Sequence, residues 1–460
     1  MLNNYADYEI IKLHSFLDLY NRIETFGDYI AFNDNGVEIS YSKFTSDIKK
    51  VSASFNKKGK FVIINCENKY NYVLSYFSVI LSGNIACVQP YSTEIYAPFK
   101  GFEIYAIVND DFVTTALTEN EGKNGIDYTP DKYAMCTVLC SSGTTATPKA
   151  VALSQYNMMT DLVAGMEKFE YAFNGRFVNI LPYSHAFGLC CDLFGPLYSC
   201  STICFAYSTI DFFGKLTTFN PTALNIIPAL VKAMAMQIKA FGNKEKVVGT
   251  SLKKILSGGA GTPKELCETM SLYGIQTYGC YGLSECGPCV AVNRDNYYKY
   301  GSAGVLLNCN TAKIKETGEI AITGCNIMLG YLNNDGSLNK VTDATFHTGD
   351  IGYIDNDGFI YISGRIDDTI VFLDGTKLMP TAIEEEINKI SGVNESIVYY
   401  KNEKLCAYVC VYNEQVSEVV KAEILKTTYL GYRVNSVTVG VDPVIKNAMG
   451  KINRKAYLKD

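Results

Sequence analysis

Phe61-Val62-Ile63-Ile64-Asn65 is a short apolar run, Asn71 to Leu81 follows with helical spacing, and Ile85-Ala86-Cys87-Val88 is apolar again. Strand, helix, strand is the unit of a parallel sheet, because a parallel neighbour needs a long crossover. The rhythm returns in Phe177-Val178-Asn179-Ile180-Leu181, Thr222-Ala223-Leu224-Asn225-Ile226-Ile227 and Lys254-Ile255-Leu256-Ser257, each closed by Gly, Pro or a polar turn. Such buried runs belong to sheets covered by helices on both faces, so the expected fold class is α/β.

After about residue 310 the pattern becomes hairpin-like. Ala312 to Lys315 faces Glu319 to Thr323, and Gly352 to Ile354 faces Gly358 to Ile362 around the turn Asp355-Asn356-Asp357-Gly358. Beyond Gly364 a small unit begins. It has a strand at Ile370 to Leu373, a helix from Pro380 to about Ile390, strands at Ser396 to Tyr400 and Cys406 to Tyr412, and a polar tail. The expected layout is a large N-terminal part, residues 1–364, of mostly parallel sheets and helices plus a β-barrel-like subdomain. A small α+β C-terminal domain, residues 365–460, completes it.

The 460 residues carry 41 Lys plus Arg against 47 Asp plus Glu, a net charge of −6, and are 48% hydrophobic and 19% charged. That balance excludes disordered, collagen-like and coiled-coil chains. Without a run of basic residues the chain has no electrostatic footprint for nucleic acid or anionic lipid, and neither partner is expected. The apolar stretches Tyr72 to Val88 and Leu189 to Ile210 are broken by Gly83-Asn84 and by Asp192 and Gly195-Pro196, so no membrane span is expected. Sixteen cysteines scattered through apolar runs do not form a disulfide scaffold. The start, Met1 to Asp7, lacks the regions of a signal peptide, which points to a reducing cytoplasm.

Several segments carry residues suited to anions and flat ligands. Cys140-Ser141-Ser142-Gly143-Thr144-Thr145-Ala146-Thr147-Pro148-Lys149 follows an apolar strand and can turn several N–H and O–H donors toward one anion, although it is not the G-x-x-x-x-G-K-[ST] nucleotide loop. Ser257-Gly258-Gly259-Ala260 offers a side-chain-free edge at a strand end, where ligands of open α/β sheets bind. Tyr278-Gly279-Cys280-Tyr281-Gly282-Leu283-Ser284-Glu285 supplies glycines for close approach, an aromatic face, a hydroxyl and a cation-binding carboxylate. His347-Thr348-Gly349-Asp350 and Gly364-Arg365-Ile366-Asp367-Asp368 add an acceptor and a guanidinium for sugar hydroxyls, and Met449-Gly450-Lys451 places a lysine in the tail.

In this order the segments resemble the adenylate-forming superfamily of acyl-CoA synthetases, luciferases and peptide-synthetase adenylation domains, over about residues 25–460. The resemblance implies ATP and Mg²⁺ as cofactors. It makes Ser141, Ser142, Gly143, Thr144, Thr145 and Lys149 the phosphate loop and Gly258, Gly259 and Ala260 the adenine edge. It implies that Tyr281, beside Gly282, stacks on adenine, that Asp350 and Arg365 hold the ribose, that Ser284 bonds the α-phosphate and that Glu285 binds Mg²⁺. It further implies a mobile C-terminal domain that swings on Asp367 and delivers a catalytic Lys451. The chemistry fits these types, since attack of a carboxylate on the α-phosphorus needs cations and hydroxyls at the phosphoryl oxygens.

Pro182-Tyr183-Ser184-His185-Ala186-Phe187-Gly188 resembles the element in which His185 borders the acid pocket of fatty-acyl and aryl-acid ligases. A small carboxylic acid, aryl or acyl, is the expected substrate, with CoA as acceptor. The alternatives are a phosphopantetheine on a separate acyl carrier protein, with an acid or amino acid loaded, or an inactive nucleotide-binding relative. Three departures stand out: Ala146 and Ala150 at common glycines, where a need for positive φ would cost about 1 kcal/mol, and Val371 at a common lysine. Cys286-Gly287-Pro288-Cys289 has the spacing of a redox pair but follows directly on the Tyr-Gly-x-Ser-Glu element, and no Trp accompanies it.

Overall fold

Asn68 accepts the Asn71 N–H at 2.9 Å through its side chain and so starts the helix Lys69–Leu81, two residues earlier than its apolar spacing indicates. This helix, buried along almost its whole length, connects the strands Phe61–Ile64 and Ile85–Val88, which pair in parallel as the opening stretch requires. The computed structural model describes residues 12–458 apart from 123–124, 127, 142–147, 170, 344 and 447–451.

The two strands sit inside a seven-stranded sheet ordered Leu338–Lys340, Gly330–Leu332, Lys149–Ser154, Met135–Ser141, Ile85–Val88, Phe61–Ile64 and Ile104–Val108. Met135–Ser141 and Lys149–Ser154 are antiparallel neighbours, with Ser141 opposite Lys149. A five-stranded sheet runs Ala223–Ile226, Lys254–Ser257, Gln276–Gly282, Cys289–Val292 and Val305–Leu306, its first three strands parallel. The four-stranded sheet of Val37–Ser40, Ile30–Asp34, Thr202–Phe205 and Arg176–Asn179 abuts it, since Thr222 N–H donates to Arg176 C=O at 2.8 Å.

The barrel-like part is an antiparallel sheet of Asn310–Ile314, Glu319–Gly324, Thr345–Ile354 and Ile360–Arg365. Its last strand curls back to the five-stranded sheet through Ala303 N–H to Ile360 C=O at 2.8 Å and Ile360 N–H to Gly304 C=O at 2.9 Å. Thr345–Ile354 runs well beyond the short hairpin arm expected from Gly352 to Ile354. Its N-terminal half is Thr345-Phe346-His347-Thr348-Gly349-Asp350, whose polar residues hide the strand from a search for apolar runs.

After Arg365 the chain builds a separate core from Ile383, Ile387, Val398, Val409, Val420 and Ile424. The expected polar tail is corrected here, because it contains the helix Ser417–Lys426 and the strand Ser436–Gly440, which pairs in parallel with Lys404–Val411. Val420 and Ile424, one helical turn apart, are the buried anchors among charged neighbours, too sparse to mark an apolar face in sequence. Among the described residues no helix is long and apolar enough to cross a membrane.

Candidate functional site

Three side chains far apart in sequence meet where the antiparallel sheet faces the end of the strand Gln276–Gly282. Asp350 and Arg365 are cross-strand partners. Arg365 Nη1 lies 3.1 Å from Asp350 Oδ1, and the Tyr281 hydroxyl donates to Asp350 Oδ2 at 2.6 Å. Asp350 is 5% exposed, so these partners offset the cost of burying its carboxylate. Burial first, and then the neighbouring Asp350 charge, hold the Tyr281 phenol well above its ordinary pKa, so it stays a donor. Gly349, at φ +71°, lets the strand turn Thr348 and Asp350 inward, with Asp350 N–H donating to Thr348 Oγ1 at 3.0 Å. Arg365 Nε is buried and has no protein partner among the described residues, which leaves a donor available to a ligand.

Glu285 follows on the one-turn helix Ser284–Cys286, with Ser284 half-buried beside it. Its Oε1 accepts the Tyr331 hydroxyl at 3.0 Å, and Lys149 Nζ stands 4.9 Å from the centre of the Tyr331 ring. Tyr331 is opposite Val151 in the seven-stranded sheet, so the strand Lys149–Ser154 and the Glu285 turn share one aromatic bridge. Lys149 is exposed, whereas Ser141 is buried with a hydroxyl that has no partner among the described residues. A buried carboxylate, an unpaired guanidinium N–H, an unpaired hydroxyl and an exposed lysine form a donor and acceptor set that fits a nucleotide polyphosphate with its sugar. The Glu285 carboxylate is the hard oxygen ligand that Mg²⁺ would take.

The third wall is the strand end at Ser257 and Gly258. Ser257 pairs with Gly279, and the Cys280 thiol donates to Ser257 C=O at 3.5 Å. A Cβ on Gly258 would lie 2.6 Å from Cys280 Sγ and 3.1 Å from the Phe187 ring, so only glycine lets these residues close together. Gly259 and Ala260 continue as an exposed edge, and exposed Gly282 lies against Pro288, whose carbonyl would be 1.9 Å from a Cβ. His185 is half-buried at the N-terminal end of the short helix Ala186–Leu189, which brings Phe187 against Gly258. Asp367 is exposed in the one-turn helix Ile366–Asp368, directly between the antiparallel sheet and the C-terminal unit. Ser142, Gly143, Thr144, Thr145 and Lys451, with Ala146, lie outside the described residues.

The geometry bears on two of the features noted in the sequence, the Ala150 departure and the Cys286–Cys289 spacing. Ala150 belongs to the strand Lys149–Ser154 and is absent from the residues of positive φ, so it carries no such strain. Cys286 and Cys289 are buried, and burial raises both thiols well above their ordinary pKa, the reverse of what a reactive thiolate needs.

Sequence reading passed over two features. Tyr331 gave no signal, because a tyrosine in a Gly-Tyr-Leu strand looks like core. The second is a buried polar chain behind the His185 segment. Asp192 Oδ2 accepts from the Asn179 amide, Asp192 Oδ1 accepts from Asn225 Nδ2 at 3.2 Å, and Lys69 Nζ donates to Asn179 Oδ1 at 2.6 Å. Burial pushes the Asp192 carboxyl up to about 8 and the Lys69 ammonium down to about 8. Both oxygens of Asp192 are thus engaged by neighbouring amides.

Buried donors at strand ends, a half-buried carboxylate at Glu285 and a separate core beyond Arg365 are what an α/β enzyme that binds a nucleotide would need. The family profile described as AMP-binding enzyme matches residues 97–332, just over half of the sequence, and the chain belongs to that family, within the adenylate-forming superfamily. A probable CoA ligase of Humulus lupulus is 27% identical over 375 residues, covering 75% of this chain and 66% of that protein. The 2-succinylbenzoate–CoA ligase of Bacillus cereus is 27% identical over 336 residues, covering 69% of each. Among solved structures, the anthranilate CoA ligase AuaEII in complex with anthranoyl-AMP superposes with a TM-score of 0.82 over 99% of this chain and 98% of that one, at 16% identity, a likeness of fold.

Proposed function

We propose that the protein is an AMP-forming ligase that joins a small carboxylic acid, aryl or acyl, to CoA. The observation that carries this reading is the convergence of Tyr281, Asp350 and Arg365 beside the Glu285, Tyr331 and Lys149 bridge. A carboxylate oxygen of the acid attacks the α-phosphorus of ATP and pyrophosphate leaves. The CoA thiol sulfur then attacks the acyl carbonyl, and AMP leaves with the oxygen it gained. Asp350 and Arg365 hold the ribose, the Tyr281 ring lies on the base, and Ser284, the Ser141 to Lys149 loop and Lys451 meet the phosphates. Glu285 would hold Mg²⁺, which when bound supplies charge neutralisation at the phosphoryl oxygens. His185, Phe187, Gly258 and Cys280 border the acid.

Residues 365–460 act as a separate domain that moves about Asp367 and carries Lys451 to and from the site. Their own core and the exposed connector Ile366–Asp368 support that division. The CoA ligases among the relatives favour CoA over a carrier protein as acceptor. Free thiols at all sixteen cysteines suit a reducing cytoplasm. Exchange of labelled pyrophosphate into ATP, run against aryl, short-chain, fatty and amino acids, tests the reading. Acid-dependent exchange with an aryl or acyl acid is expected, and exchange with none of the panel by protein that binds ATP would favour the inactive relative. Product analysis with CoA and with a carrier protein then separates the two acceptors.

A further inference from the structure

Behind Glu285 lies a buried polar knot that the proposed chemistry does not use directly. The helix Gln155–Lys168 carries Asn157 and Asp161 one turn apart on one face, Asn157 toward Cys325 and Asp161 toward the segment after Glu285. Asn157 Nδ2 donates to Cys325 C=O at 2.8 Å. Asp161 Oδ1 accepts the Cys289 N–H at 3.0 Å and an Asn326 amide N–H at 2.9 Å. The same Asn326 amide reaches Cys286 C=O at 2.7 Å and Cys289 C=O at 2.8 Å, three acceptors for two hydrogens. Asp161 is 2% exposed and Asn326 0%.

These bonds fasten both ends of the turn 286–289. Within it Gly287 has φ +79°, and a Cβ there would stand 2.9 Å from the Asn326 carbonyl, so the turn fits against Asn326 only as glycine. Glu285 itself is pinned at its carbonyl by Met328 N–H at 2.9 Å. The helix bearing Asp161 starts directly after the strand headed by Lys149, so the knot ties the Glu285 turn to the element that presents the lysine. The bonding partners of Asp161 are neutral donors, and burial pushes its carboxyl well above the ordinary range. A protonated acid still accepts through Oδ1, as the isosteric amide of asparagine would.

We infer that Asp161 and Asn326 are positioning residues for the cation-binding carboxylate: they hold the turn 286–289 so that Glu285 meets the metal–phosphate complex at a fixed distance from Lys149. Outer partners of a metal ligand typically govern affinity by tenfold or more, and that is the effect expected here. The inference rests on the proposed function, and the test keeps the two apart. ATP is titrated calorimetrically into the full-length protein with Mg²⁺ and again with the cation chelated. Asp161→Ala and Asn326→Ala should weaken ATP binding about tenfold or more with Mg²⁺ and about twofold or less without it, while Asp161→Asn stays close to the unmodified protein. Asn326→Ser, which keeps one donor, replaces either alanine variant that fails to fold and should show a smaller loss of the same kind. Equal losses with and without Mg²⁺, unchanged affinity in the folded variants, or an Asp161→Asn loss as large as that of alanine would overturn the inference. Failure of the unmodified protein to bind ATP in either condition would instead overturn the proposed function.

Discussion

Removing one oxygen from Tyr281 separates its hydroxyl from its ring. In Tyr281→Phe the aromatic face remains, and what disappears is the 2.6 Å bond to Asp350 Oδ2. Hydrogen bonds to a charged group contribute about 1.5–3 kcal/mol, and each 1.4 kcal/mol is about a factor of ten in affinity. Asp350 keeps Arg365 on Oδ1, so the pair survives, but a carboxylate 5% exposed loses its second anchor and can rotate away from the sugar. The expected result is a rise of about tenfold or more in KM for ATP in pyrophosphate exchange. The rate at saturating ATP should change by less than about threefold, because the hydroxyl is placed on the ribose side and not on the α-phosphorus. Tyr281→Ala, which also removes the ring, should be worse. A Tyr281→Phe variant whose KM for ATP stays within about twofold of the unmodified protein would refute the view that this bond orients Asp350.

Gly258→Ala should cost about 1–3 kcal/mol in denaturant unfolding and raise KM for the acid, because the new Cβ would stand 2.6 Å from Cys280 Sγ, and adding Cys280→Ala should recover part of both. The Asp192 carboxyl, raised to about 8 from 3.8, keeps its proton in the folded protein where the unfolded chain has lost it. Its contribution is complete below about pH 4 and is lost as pH rises toward 8; melts should therefore show Asp192→Asn gaining on the unmodified protein by roughly 1 kcal/mol per pH unit between about pH 5 and 8, and a constant gap would contradict the assignment. Lys451→Ala should lower the exchange rate about 10²-fold or more, and an intact rate would remove that lysine from the adenylation step. Asp367→Pro should slow thioester formation in rapid-quench assays more than adenylate formation, whereas equal slowing of both would count against a hinge there.

What could be read from the sequence was local. The α/β class follows from runs such as Phe61 to Asn65 and Ile85 to Val88, whose burial on both faces leaves an unbroken apolar signature. The glycines of Gly258-Gly259 and Gly282 mark close approach wherever the chain goes afterwards. The family resemblance already grouped Tyr281, Asp350 and Arg365 around one nucleotide; what escaped is which side chains bond to each other, and that depends on register and long-range pairing. Tyr281 and Asp350 are 69 positions apart, Tyr331 and Glu285 are 46 apart, and Asp161 and Asn326 are 165 apart. No periodicity announces such pairs, because a buried polar residue that finds its partner across the fold looks in sequence like a turn or a solvated face. The strand Thr345–Ile354 shows the same effect, since the residues that make it useful, Thr348 and Asp350, are those that obscure it.

The fate of one oxygen atom bears most directly on the account. With an accepted acid labelled with ¹⁸O in its carboxylate, together with ATP, Mg²⁺ and CoA, attack at the α-phosphorus and later thiolysis must leave labelled oxygen in AMP, which mass spectrometry detects. Labelled AMP, formed in step with the thioester, is the expected result. Unlabelled AMP, or label carried into inorganic phosphate alongside ADP, would contradict it.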